Sequence, residues 1–379
     1  MFVSPVCTGL TAVCLIGFDA AGCAHRTGED AQRKACVDFA QAMDLSDRIK
    51  TLNLLSDAYR QSCHATVTVY GAEAQSEFRH KTFHVLKEAA SVFIPDGTLT
   101  DYVLESYERG FLSLLLASSY LLLNQPDDAR VELRRMDHEL FAPLYNFGED
   151  PVNVLLSAVF WERLGEPGEA RVDWHRLRDP ASGLKGVDDG LRAFADRQVR
   201  RIDEGQAPGP SWHLFWVGRF PDIEWDLKLM GSNNGYLLVR ATQTFPSSCV
   251  SETGVRISTQ NWFDKIAVRH SHAYHPLLNA QSWIRLPVGL TYSLLPVAAG
   301  AGIAVGGCTL DAAGNGKGAL CELSVRGGLL LMSTAPAVLR GALEPDLRHW
   351  SHLPSAFVVT SEAEPRNERC SQGGGALLP

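Results

Sequence analysis

Apolar and polar residues follow a helix-pair pattern that occurs twice between Glu105 and Asp179. Each copy has an aromatic residue, a turn-forming residue four positions later, an alanine at nine and a large apolar residue at thirteen. The first copy is Tyr120, Asn124, Ala129 and Leu133, and the second is Trp161, Gly165, Ala170 and Trp174. Apolar residues at near-helical spacing predict an amphipathic helix on either side of each turn. We therefore predict two tandem helix–turn–helix units with these residues, apart from the turn residue Asn124, in their core.

The remaining pattern predicts an α+β fold. Apolar spacing from Ala31 to about Phe93 is also helical, and the Gly- and Pro-rich stretch at 205–210 marks a domain boundary. We predict an all-α repeat domain over 24–205, a smaller mixed α/β domain over 211–361 and a disordered tail over 362–379. The second domain is expected to contain a glycine-rich turn over 306–318. Its predicted strands are His213–Phe220, Tyr236–Arg240, Leu320–Met332 and Ala356–Thr360.

Residues 1–23 resemble a bacterial lipoprotein signal peptide. The apolar run Val6–Phe18 is too short to span a bilayer, which needs about 20 residues, but it suits the core of a signal peptide. It is followed by Ala-Ala-Gly-Cys at 20–23, which resembles a lipobox and implies lipid modification of Cys23. Asp19 and the lack of Lys or Arg before the run depart from this pattern. Cleaved soluble export and a cytoplasmic chain with a buried N-terminal helix remain alternatives.

The stretch Leu286–Cys308 contains no charged residue. Its length permits a transmembrane helix, and Gly302 and Gly306 have the small-residue spacing found in membrane helix packing. Pro287 and Pro296 interrupt it, and no Lys/Arg cluster flanks it. We expect a segment buried inside the second domain, with a membrane-contacting segment or an oligomer interface as the alternatives.

Composition and charge narrow the function classes. The chain has 379 residues, 45% hydrophobic and 21% charged, as in ordinary globular proteins, and a formal net charge of −8. An acidic chain argues against nucleic acid as a partner, because phosphate binding needs a concentrated basic face. The cysteines form no CxxC pair, so zinc-ribbon and thioredoxin chemistry have no support. Cys308 and Cys321 are the one plausible local disulfide pair, although the pattern slightly favours free buried thiols.

The tandem units resemble tetratricopeptide repeats, which are helix–turn–helix modules of about 34 residues that bind other polypeptides. Glu105–Arg109 and Asp128–Arg135 are also similar to segments of an uncharacterised family of bacterial envelope lipoproteins. Arg348–Pro354 resembles the Arg-x-Trp-x-x-Leu-Pro element that closes this family. The resemblance implies a repeat domain followed by a smaller β-containing domain and no known catalytic residues. Members are found near lipoproteins that activate cell-wall synthases or build secretion pores.

Histidine-rich stretches are the main candidates for other chemistry. On a strand, His270 and His272 would share a face, as a metal site requires, with Asp264 nearby. Glu77, His80 and His84 could share a helix face, but the pattern lacks the glutamate that follows the first histidine in HExxH metalloproteases. We predict a polar loop and an exposed helix face, and no catalytic residue, metal or cofactor.

We therefore predict a non-enzymatic scaffold lipoprotein that binds other envelope proteins through its helical repeats. The lipid on Cys23 would hold it at the membrane, and the outer membrane facing the periplasm is the expected location. Glu105, Arg109 and Asn153 are the predicted partner contacts. The rivals are a membrane-embedded assembly or secretion component that uses 286–308, and a metal-dependent hydrolase that uses the His270 cluster. The pattern leaves the partner and the oligomeric state open.

Overall fold

The computed structural model is mostly helical with a small antiparallel sheet, which confirms the α+β class. The structure describes residues 20–78, 102, 104–141, 150–206, 211–220, 222–227, 237–241, 254–260, 262, 275–314, 318–337, 348–360 and 376–378.

Helices account for the described part of the chain as far as residue 206, apart from their connections. They are α1 (Ala20–Ala42), α2 (Arg48–Arg60), α3 (His64–Phe78), α4 (Ser106–Leu122), α5 (Pro126–Phe141), α6 (Pro151–Arg163), α7 (Pro167–Arg178), a 3-10 turn (Pro180–Ser182) and α8 (Asp189–Asp203). Helices that are consecutive in sequence pack against one another from α2 to α3 and again along α6, α7 and α8. Helix α4 also packs against α3, α5 and α6, so it lies at the centre of this layer.

The turns inside the two predicted helix pairs have the same local structure. Asn124 and Gly165 both adopt left-handed backbone, with φ of 57° and 73°. One residue later, a backbone N–H reaches back to the carbonyl of Tyr120 at 2.8 Å in the first pair and of Trp161 at 3.0 Å in the second. A proline then begins α5 and α7, where its missing N–H costs no helical hydrogen bond. The matched positions of the sequence therefore produce matched turns.

The β-structure consists of a four-stranded sheet and a separate hairpin. The strands are β1 (His213–Val217), β2 (Ile223–Leu227), β3 (Leu237–Ala241), β4 (Val255–Ser258), β5 (Ala356–Thr360) and β6 (Ala376–Leu378). The sheet has the order β4–β5–β1–β6 with antiparallel pairs, and β2 pairs with β3. In the β1–β5 register Trp216 lies opposite Phe357, and both side chains are buried.

One continuous hydrophobic core joins the helices to the sheet. Phe111 of α4 is its centre, with its ring centroid 5.7 Å from Trp216, 5.5 Å from Trp262, 5.6 Å from Trp350 and 5.7 Å from Phe357. Aromatic pairs at these separations add specific geometry to the burial of apolar area. The sheet is thus packed on α4 across the boundary that the sequence predicts at 205–210.

The last two helices form an antiparallel pair, α9 (His275–Ala313) and α10 (Ala319–Met332). The predicted strand over Leu320–Met332 is therefore wrong, and α9 continues through much of the glycine-rich turn predicted over 306–318. The reason is that small residues at helical spacing let the two helices approach closely. The prediction of a disordered tail also fails for Ala376–Leu378, because β6 pairs with β1.

Two disulfide bonds are formed by described residues, Cys36–Cys63 and Cys308–Cys321. The first attaches α1 to the residue before α3, and the second joins α9 to α10 near the turn between them. The preference for free thiols is therefore wrong for these four cysteines. The bond between Cys36 and Cys63 has no signal in local spacing, because it depends on how α1 packs against the following helices.

Candidate functional site

The residues predicted to contact a partner are largely inside the protein. Glu105 is 6% exposed and Asn153 is fully buried, where its amide donates to the carbonyl of Tyr107 at 3.1 Å. Both were expected on an exposed helix face, and that expectation is wrong. The reason is that α4, which begins directly after Glu105, and α6, which carries Asn153, pack against each other and against other helices. Arg109 is half-buried and donates to the carbonyl of Leu104 at 2.8 Å.

Arg109 lines a surface recess between α3, α4 and α5 together with Gln75, Phe78 and Arg135. Arg135 is 35% exposed and forms an ion pair with Glu132 at 2.6 Å. Two guanidinium groups beside an aromatic side chain could accept an acidic side chain of a partner, because arginine pairs well with carboxylates.

The predicted repeat-core residues lie on the inner side of the helices. Ala129, Leu133, Ala170 and Trp174 are fully buried and Trp161 is 6% exposed. Tyr120 is only partly buried and packs against the edge of the same core. Gly165 is exposed, so its prediction as a core residue is wrong, because it forms the turn before α7.

Buried carboxylates of the helical part accept hydrogen bonds from tryptophans of the C-terminal part. Glu108, which is fully buried, accepts from the backbone N–H of Trp350 at 2.9 Å and from the hydroxyl of Tyr102 at 2.6 Å. Asp150 accepts from the indole N–H of Trp262 at 2.6 Å.

Glu162 is the third such carboxylate and accepts from the indoles of Trp212 and Trp174 at 2.9 and 2.7 Å. Buried polar groups of this kind need partners with good geometry, because an unpaired one is costly. These contacts fix the sheet on the helices. Their geometry is that of a structural joint between the helical part and the C-terminal part.

Burial changes the ionisation of two of the acidic groups in the helical part. It raises the pKa of Asp150 to about 7, although hydrogen bonds from Val152 and Trp262 act in the opposite direction. It also raises the pKa of Asp173 to about 7, against a hydrogen bond from Ser157 and the charge of Arg176. Both side chains are buried inside the helical part, so the raised pKa values bear on stability.

The α9–α10 pair, which we call the hairpin, carries most of the exposed large apolar side chains of the described residues. On α9 these include Leu290, Tyr292, Leu294, Leu295, Ile303, Val305 and Leu310, and on α10 they are Leu320, Leu323, Val325, Leu329, Leu330 and Leu331. Exposed fractions reach 71% at Leu310 and Leu330. Scattered apolar residues are normal on a protein surface, whereas a contiguous apolar patch marks an interaction surface.

The contact between the two hairpin helices is made of small and polar residues. A Cβ added to Gly300 would collide with the carbonyl oxygen of Gly328, and one added to Gly307 would collide with Ser324. Ser293 is also buried along this side of α9. The hairpin is thus apolar outside and small or polar inside, which is the reverse of a water-soluble helix pair. Membrane helices pack in this way, because lipid is as apolar as leucine.

The uncharged stretch predicted at 286–308 lies in this hairpin. Within it, Leu290–Ala313 forms the one span among the described helices that is long and apolar enough to cross a membrane, and 11% of its most apolar window is buried. At 1.5 Å per residue its 24 residues extend about 36 Å, compared with about 30 Å for the bilayer core. The expectation of burial inside the second domain is therefore wrong for the described residues. A Cβ added to Gly302 or Gly306 would meet nothing within 4 Å, so the close approach of the two helices does not depend on these glycines.

One ion pair lies on the outer side of α10. Arg326 donates to Glu322 at 2.5 Å, and the two side chains are 76% and 65% exposed. Local sequence patterns missed this pair because they predicted a strand here. The alternation of small residues with leucines on either side of the Cys308–Cys321 turn is the signal that could have indicated a helical hairpin.

Several predicted features lie wholly or partly outside the described residues. His270, His272 and Asp264 are among them, as are His80 and His84, while Glu77 lies on α3. The signal-peptide prediction also falls there up to residue 19. The backbone of Cys23 is in α1, and its side chain is outside the description. In the described part of the chain, no group of three His, Cys, Asp or Glu is placed to hold a metal ion.

Comparison of the chain with protein-family models, with curated proteins and with solved structures found no match.

Proposed function

We propose that the protein is a lipid-anchored component of the bacterial envelope whose hairpin enters a membrane while its helical part binds other envelope proteins. The observation that carries this proposal is the reversed polarity of the hairpin, with leucines outside and Gly300, Gly307, Ser324 and Gly328 at the helix contact. In water such a surface would associate or aggregate, whereas in lipid it lowers the free energy.

The disulfides support an exported protein. Disulfides persist in oxidising compartments and are rare in the cytosol. Cys36–Cys63 lies in the helical part and Cys308–Cys321 lies in the hairpin, so both parts of the chain are proposed to have met an oxidising compartment. The outer membrane, which faces the oxidising periplasm, is the membrane that we propose the hairpin enters.

The helical part is proposed to be a tetratricopeptide-like scaffold. The matched turns at Asn124 and Gly165 and the buried Ala129 and Ala170 support two related helix pairs. Scaffolds of this kind bind extended peptides or helices of other proteins. The recess that contains Arg109 and Arg135 replaces Glu105 and Asn153 as the proposed contact surface, because it is open to solvent. Its chemistry suits an acidic segment of an envelope protein.

Membrane entry is tested by binding to phospholipid vesicles followed by a carbonate wash. Cys23→Ala removes the proposed lipid, and we expect this variant to stay in the vesicle pellet. Adding Leu295→Lys and Val305→Lys, on the outer side of α9, should lower the pelleted fraction at least tenfold, because charged groups are costly in the bilayer core. Adding Val131→Lys and Val172→Lys, on the exposed side of α5 and α7, is the matched control and should change nothing.

Release of Cys23→Ala by carbonate would contradict membrane entry, and so would equal pelleting of the two double-lysine variants. Circular dichroism of each variant shows that the fold is kept.

Partner binding is tested by affinity purification from the native envelope. Arg135→Glu reverses a charge in the recess, and Arg134→Glu makes the same change on the exposed side of the same helix. A partner that is lost with the first variant and kept with the second supports the recess as the binding surface. Equal recovery with both variants would count against it.

A further inference from the structure

The ion pair on α10 includes Arg326, which lies close to the contact between α10 and α9. Gly328, two residues after Arg326, packs against Gly300, which is near the middle of the uncharged stretch of α9. If the hairpin enters the membrane, Arg326 therefore lies well inside the apolar zone. Charged side chains at such depth are rare, and they nearly always face other protein or a water-filled space.

The surface around the ion pair has the spacing of a helix contact. Glu322, Arg326, Leu329 and Ser333 follow one another at intervals of four, three and four residues, and all are exposed. This is the spacing with which one helix presents a seam to another. A different seam of α10, containing Ser324 and Gly328, is already occupied by α9. We call the exposed set the outer seam.

We propose that the outer seam of α10 packs against the outer seam of a second copy of this chain inside the membrane. The inference rests on the membrane entry proposed above. The argument for a second copy is charge complementarity, since the seam carries one acidic and one basic side chain a helical turn apart. A two-fold contact places the same patch on both partners, so Glu322 of each copy can pair with Arg326 of the other. Within the bilayer core this arrangement surrounds the charges with protein.

Cysteine cross-linking in vesicles of phosphatidylethanolamine and phosphatidylglycerol tests the contact. The background is the full chain in which the five cysteines outside the two described disulfides, Cys7, Cys14, Cys23, Cys249 and Cys370, are replaced by serine. Leu329→Cys places a thiol on the outer seam, and Leu330→Cys places one on the adjacent exposed residue that points elsewhere. We expect oxidation to give at least ten times more dimer with Leu329→Cys. Similar yields from the two positions would overturn the inference.

Charge exchange tests whether the pairing is between copies. In the Leu329→Cys background, E322R leaves two basic residues on the seam and R326E leaves two acidic ones. Each variant alone should lose most of the dimer, and a mixture of the two should restore it as heterodimer, identified by a size tag on one variant. A purely internal ion pair predicts no rescue by mixing.

Sedimentation with the vesicles separates the two proposals. Variants that stay bound to membrane without cross-linking would refute the second copy and leave membrane entry standing. Failure of the parent chain to bind membrane would refute both.

Discussion

Glu108 and Trp350 are 242 positions apart, yet the backbone N–H of Trp350 donates to the Glu108 carboxylate at 2.9 Å. The contact joins two segments that are far apart in the sequence, Glu105–Arg109 and Arg348–Pro354. The indole of Trp350 also donates to Ser56 at 2.9 Å, so this residue ties the strand β5 region to both α2 and α4. Through Trp350, the segment Arg348–Pro354 is thus anchored in the helical part of the protein.

Replacing Glu108 tests this joint. Glu108→Gln keeps the size of the side chain but replaces one acceptor oxygen by an NH2 group. This donor then faces another donor, either the hydroxyl of Tyr102 or a backbone N–H, and one hydrogen bond is lost. We expect the free energy of unfolding to fall by about 2–3 kcal/mol, measured by urea denaturation. Glu73→Gln, at an exposed position of α3, is the control and should change it by less than about 0.5 kcal/mol. Equal effects would show that Glu108 is not part of a joint.

The raised pKa of Asp150, about 7, predicts how stability depends on pH. An aspartate in the unfolded chain ionises near pH 4, so the folded protein holds an extra proton between about pH 4 and 7. The stability due to this group is therefore present below about pH 4 and is lost as pH rises through 7. Asp173, whose pKa is also about 7, acts in the same direction.

We expect the urea midpoint to fall between pH 5 and 7.5, and Asp150→Asn to remove about half of that fall. Asp188→Asn, at the exposed cap of α8, should leave the pH profile of the wild type intact. A midpoint that rises with pH over this window would contradict the assignment.

Two neighbouring glycines of α10 test the hairpin contact. A Cβ at Gly328 would collide with the carbonyl of Gly300, whereas a Cβ at Gly327 meets nothing within 4 Å. We expect Gly328→Val to separate the helices and cost about 1–3 kcal/mol, as overpacking does. After reduction and reoxidation, mass spectrometry should then find less of the Cys308–Cys321 bond in Gly328→Val than in Gly327→Val. Equal recovery would mean that the helices do not depend on this close approach.

The Cys36–Cys63 bond should stabilise the N-terminal helices. It closes a loop with a sequence separation of 27, which corresponds to about 3.5 kcal/mol in the chain-entropy account. Cys36→Ser/Cys63→Ser should therefore lower the free energy of unfolding by about that amount, and a reducing agent should have little further effect on α1–α3. The Cys308→Ser/Cys321→Ser variant is the control, since it leaves this part of the chain unchanged. Limited proteolysis of α1 provides a second measurement, with faster cleavage expected in the first variant alone.

Local patterns were sufficient for the α+β class and for much of the helical part. Tyr120, Asn124 and Ala129 match Trp161, Gly165 and Ala170 because turns and helix faces are encoded within a few residues. The strands β1 and β5 were also predicted close to their observed bounds, since β-branched and aromatic residues cluster there. Whether the helix pairs form a true tetratricopeptide array stays a prediction.

The sequence by itself did not determine which face of each helix is buried and which is exposed. Only the tertiary structure decided this. The sequence predicted Glu105 and Asn153 as polar surface positions, but the packing of α4 and α6 against each other and against their neighbours buries both. In the hairpin the leucines point outward because Gly300 and Gly328 leave room for helices to meet on their small side. Contacts such as Glu108–Trp350 depend on distant segments meeting in space, and no local spacing encodes them.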